Sequence, residues 1–252
     1  HVGSKNEDPS RTGMAHFFEH LLFEGSEYID RGEFDNYVEN SGGVLNANTT
    51  QDRTFYYEIL PSNQLELGLW LESERMLHAK IQQIGIDTQN EVVKEEKRMR
   101  VDNQPYGNLL EKTMEACYDE HPYKWTPIGS MEHLDAASHE DFMEFYNTFY
   151  VPNNATLSIA GDIDVEETTR LIESYFADIP TGENEIPRPS VVEKTRTQER
   201  RSVVYGKDRL PLVVQAYPIP AQGTPDYYAV DMLNQVLSGG NSSRLNKRVV
   251  DE

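Results

Sequence analysis

Cysteine is almost missing from this 252-residue sequence. Cys117 stands alone, so no internal disulfide can form and the redox setting stays open. Long apolar runs are missing too: no stretch approaches twenty residues and the mean hydropathy is −0.66, which excludes a membrane-spanning helix. Positive charge is scarce, with 23 Lys and Arg against 43 Asp and Glu and a net charge of −20. A surface of that sign repels phosphate backbones and excludes nucleic-acid binding by a basic face. What is present suffices for a packed core: 37% hydrophobic residues, with 14 Tyr and 9 Phe. The chain opens at His1 without a signal peptide and stops at Asp251-Glu252 inside what reads as a helix. It therefore reads as a piece of a longer protein.

Punctuation along the chain predicts alternating helices and strands. Residues 14–23 are apolar without Gly or Pro and read as a buried helix, and 32–40 as a second, ended by Ser41-Gly42-Gly43. Residues 44–60, rich in Thr, Tyr and Phe, read as one or two strands. Helical spacing predicts helices over 64–79, 88–102, 109–118 and 165–177. Ser138-His139-Glu140-Asp141 matches a capping box that opens a helix to about residue 150. ATLSIAG (155–161) reads as a short buried strand, and 201–205 and 212–217 as further strands before a helix at 227–237. Proline, glycine and polar residues concentrate in 180–190, so a linker is placed at 183–200, between an α+β unit at 1–182 and the start of a similar unit at 201–252. The expected fold class is α+β, a mixed or antiparallel sheet packed with helices.

The chemistry concentrates in residues 14–23, MAHFFEHLLF. Burying a carboxylate and two imidazoles on an apolar helix is costly without partners. His16 and His20 are one turn apart on one face, with Glu19 beside them. Two imidazoles so spaced can hold one Zn²⁺, and the carboxylate can reach a water there. A site with one open position needs a third ligand. On a wheel of the 88–102 helix, started at Val92, Glu96 falls at about 40°, with the apolar stripe of Val92, Val93 and Met99. Glu91 and Glu95 turn away, and Lys94, Lys97 and Arg98 take the solvated side. The pattern HxxEH arises by chance in roughly one chain of this length in a hundred. The apolar helix and the inward acid on a second helix favour a metal site. His78, His121, His133 and His139 read as surface or capping residues, and Cys117 as a packed thiol.

His16-Phe17-Phe18-Glu19-His20 resembles the inverted zinc motif of the pitrilysin/insulinase family of metallopeptidases, which includes the mitochondrial processing peptidases. GMAHFFEHLLFEGS, GGVLNANTTQDRTFYYEILP, EVVKEEKR, YVPNNATLSIAGDID and SGGNSSRLNKRVV are similar to other family segments, over nearly the whole chain. The resemblance implies that His16, His20 and Glu96 bind one zinc ion and that Glu19 is the general base of peptide-bond hydrolysis. The chain departs from many members at Gln89, where they carry a second glutamate. It also implies a peptide substrate pairing with an edge strand at Asn46, Ala47, Asn48 and Thr49, and a clamshell whose remaining half is the rest of the chain or a second subunit. The isolated piece is then expected to bind zinc but hydrolyse peptides poorly. The likeness is closest in style to bacterial exported peptidases. An inactive relative serving as scaffold or partner subunit is the competing reading.

Overall fold

The structure, a computed structural model, describes residues 1–183, 185–206 and 210–250. It divides into two compact units, His1–Arg209 and Leu210–Glu252. In the first, α1 (Met14–Leu21) and α2 (Glu33–Asn40) precede a hairpin of β1 (Val44–Thr49) and β2 (Thr54–Ile59). Then come α3 (Leu65–Leu77), α4 (Gln83–Lys97), α5 (Leu109–Cys117), α6 (Met131–Ala136), α7 (His139–Phe149) and α8 (Val165–Phe176). α4 runs directly into a π-helical turn, Arg98–Asp102. The second unit holds α9 (Pro225–Ser238) and α10 (Arg244–Val249); the expected final helix residues Asp251 and Glu252 lie outside the described residues.

The core explains why α1 is so apolar. Phe17, Phe18, Leu21 and Leu22 are buried against Phe142, Phe145 and Phe149 of α7 and Val93 of α4. Phe17 and Phe142 lie 4.9 Å apart between ring centroids, and Phe18 and Phe145 5.4 Å. A second cluster, Ile29, Phe34, Val38 and Leu71, fastens α2 to α3. Leu134 of α6, a helix the sequence reading leaves unassigned, completes the main core.

The start of α1 is fixed by groups distant in sequence. Gly13 caps it at φ +98°, a left-handed geometry that favours glycine. A side chain on Gly129 would come within 2.3 Å of the Gly13 backbone nitrogen, so two glycines must meet here. Buried Glu7 accepts the N–H groups of Gly13 (3.0 Å) and Ala15 (2.9 Å) and the indole N–H of Trp125 (3.1 Å). It thus meets the unsatisfied amides and positive end of the helix.

β1 and β2 are antiparallel, with Ala47 opposite Tyr56 and Thr49 opposite Thr54. Among the described residues they form the only sheet, so β1 has a ladder partner on one side only. The segments 155–161, 201–205 and 212–217 do not form strands. They run without ladder hydrogen bonds and largely exposed among the described residues, because apolar content supplies a strand's face but not its partner. Part of the expected linker is docked: Glu193 accepts the N–H groups of Asp119, Glu120 and His121 at 2.7 Å each, and Arg196 donates to the final carbonyls of α5.

Candidate metal centre

α1 and α4 pack side by side, and three side chains meet between them. His16 Nε2 and His20 Nε2 are 3.3 Å apart. Glu96 Oε2 lies 3.4 Å from the first and 3.2 Å from the second. A tetrahedral ion with arms of about 2.05 Å has ligand–ligand edges of about 3.3 Å, so this triangle fits one face of a zinc tetrahedron. The donor chemistry fits as well. Glu96 Oε2 is buried and makes no well-formed hydrogen bond, and it points at two imidazole nitrogens rather than at a donor of its own. Burial, and then the like charge of His20, push His16 down to about 4, so it is neutral at pH 7 and has a lone pair to give.

The other Glu96 oxygen, Oε1, is taken by Arg100 at 2.6 Å. Arg100 lies on the π-helical turn after α4, and its grip fixes which carboxylate oxygen faces the imidazoles. Glu96 is turned toward the imidazoles, but the reference chosen for the helical wheel is displaced. Val92 is 43% exposed and Val93 fully buried, so Glu96 points between cleft and core.

Glu19 stands beside this triangle, half-buried. Thr49 Oγ1 of β1 donates to its Oε2 at 2.6 Å. Burial raises the Glu19 carboxyl above its ordinary range, and the Thr49 bond opposes that rise. Asn46 and Ala47 line a cleft of about 350 Å³ together with Glu19 and His20, whereas Asn48 does not line it and Thr49 contacts the acid. Spacing within α1 revealed the His–Glu–His set, but Glu7 and Thr49 reach α1 from other segments and left no local signal. Arg100 did leave one, an i, i+4 acid–base pair.

The remaining histidines have protein partners. His78 Nδ1 meets Glu74, His133 Nδ1 accepts the Thr12 N–H, and His139 Nε2 meets the Ile81 carbonyl. His121 Nδ1 accepts the Tyr123 N–H.

Residues 1–129 match the family model described as Insulinase (Peptidase family M16), and residues 136–252 match Peptidase M16 inactive domain. The chain is 35% identical to the zinc protease PqqE of Helicobacter pylori, over all of this chain and 57% of that protein. It is 27% identical to the beta subunit of the mitochondrial-processing peptidase of Blastocladiella emersonii, over 71% of this chain and 38% of that one. The crystal structure of a protease from Helicobacter pylori superposes with a TM-score of 0.92 at 33% identity, covering 99% of this chain and 61% of that chain. The chain spans a little over half the length of the curated relatives that match it end to end.

Proposed function

The chain belongs to the insulinase family, peptidase family M16, and we propose that it is the catalytic portion of a zinc-dependent endopeptidase acting on peptides or unfolded segments. One observation carries this reading: three donor atoms from two helices, spaced as a zinc tetrahedron requires, with a carboxylate beside them. His16, His20 and Glu96 would hold the ion. Zinc at such a site supplies a water of lowered pKa, about 7, and polarises the scissile carbonyl. Glu19 takes the proton of the attacking water and passes it to the nitrogen of the leaving amine. Its raised proton affinity suits that exchange, and Thr49 keeps one of its oxygens fixed. The one-sided strand β1 would take an extended substrate at Asn46–Thr49 by main-chain hydrogen bonds. All four site residues fall in the segment that matches the peptidase model, and none in the segment that matches the inactive domain. Residues from 201 onward would open a second α+β unit, and the rest of the clamshell would come from elsewhere in the protein or from a second subunit.

Metal analysis and a peptide-library digest test this. Wild type should hold one zinc per chain and Glu96→Gln should lose most of it, by a factor of about 100 or more in affinity. In the full-length protein Glu19→Gln should keep the zinc and lose hydrolysis. Hydrolysis surviving in Glu19→Gln would remove Glu19 as the base, and hydrolysis absent from zinc-loaded wild type would favour the scaffold reading.

A further inference from the structure

The cleft beside Glu19 pairs acidic with apolar lining. Its floor is apolar, made by Phe23, Leu45 and Val92. Its carboxylates are Glu19 and Asp35, and neither Lys nor Arg lines it. Asp35, on the first turn of α2, enters no hydrogen bond or ion pair among the described residues. Gln89 is oriented by a neighbour: its Nε2 donates to Glu24, a nearly buried carboxylate also paired with Arg31. A carboxylate only accepts, so the amide cannot be turned the other way. Gln89 Oε1 is consequently buried without a donor and lies out of an occupant's reach. Asn46 Oδ1 already accepts its neighbour's N–H, so this residue has only its Nδ2 donor left.

We propose that this cleft selects a basic side chain of the peptide, Lys or Arg, with Asp35 as its specificity-determining group. The aliphatic stem lies on Phe23, Leu45 and Val92, and the cationic end supplies the donors that Asp35 lacks. The net charge of −20 draws such peptides in. The inference deepens the peptidase reading and rests on it only in taking a peptide as the occupant.

The test uses zinc-loaded full-length protein and peptides identical but for Lys, norleucine or Glu at one position. Binding is measured on Glu19→Gln, so that no chemistry intervenes, and hydrolysis on wild type. The Lys peptide should bind about ten-fold tighter than the norleucine peptide. Asp35→Asn should erase most of that preference, and Asp35→Lys should turn it toward Glu. Asp35 is exposed, so these substitutions leave folding intact. Equal binding of Lys and norleucine peptides, or a Lys preference indifferent to both Asp35 variants, overturns the inference. If selective binding persists while wild type cleaves nothing, the peptidase reading falls and the inference stands. If wild type cleaves all three peptides and none binds preferentially, the inference falls and the peptidase reading stands.

Discussion

Glu58 of β2 is a largely buried carboxyl with a second acid, Glu72, beside it. Burial first, and then the like charge of Glu72, push it up from 4.5 to about 8, against the pull of Arg75. The folded chain thus keeps a proton that the unfolded chain releases at lower pH. Where the folded state binds more protons, stability falls as pH rises. The stabilisation present below about pH 4.5 should therefore be lost progressively toward pH 8. Glu58→Gln, a neutral isostere, should flatten this fall and raise the thermal midpoint at pH 8.5 while changing it little at pH 5; calorimetry at the two pH values checks it. A residue was legible in the sequence only where a period along its own helix gave it a face. Glu96 and the histidines could be found by counting turns. Glu58 could not be singled out, because its neighbour Glu72 lies on α3 and only the fold brings them together.

Helices were legible because their signals are local. The capping box at Ser138 forms as its letters suggest: Asp141 N–H donates to Ser138 Oγ at 3.2 Å, and Ser138 N–H to Asp141 Oδ2 at 2.7 Å. It opens the helix that carries Phe142, Phe145 and Phe149 onto α1. Ser138→Ala should cost about 1 kcal/mol in urea unfolding, with the m-value unchanged. β1 and β2 were legible because their hairpin partner follows within a few residues. The extended segments at 155–161, 201–205 and 212–217 were misread for the opposite reason: a strand's ladder is a remote property that alternating letters do not encode. α6, six residues long with one buried leucine, was too short to show a period.

For the whole molecule, metal and fold are coupled. An ion that binds only the folded arrangement of α1 and α4 adds stability by mass action, about 2.7 kcal/mol at a hundred times its dissociation constant. Zinc should therefore raise the melting temperature of this chain, and a chelator should reverse the gain. The same 252 residues should bind zinc yet hydrolyse library peptides far more slowly than the full-length protein. Rapid turnover by this chain alone would show that it needs no further half. The fold class was readable from residue pattern, but how the two units are completed was not, since the chain spans little more than half of its relatives.

The paired glycines under α1 bear on the order of assembly. Gly13 and Gly129 must touch backbone to backbone before the helix has its starting point, and Glu7 and Trp125 close over the same spot. More than a hundred residues have to be looped together first, a slow and entropically demanding event. An eight-residue helix is not stable alone in water. The imidazole pair therefore depends on a closure made far along the chain, and a truncation ending before Gly129 should carry the motif in letters without gripping an ion.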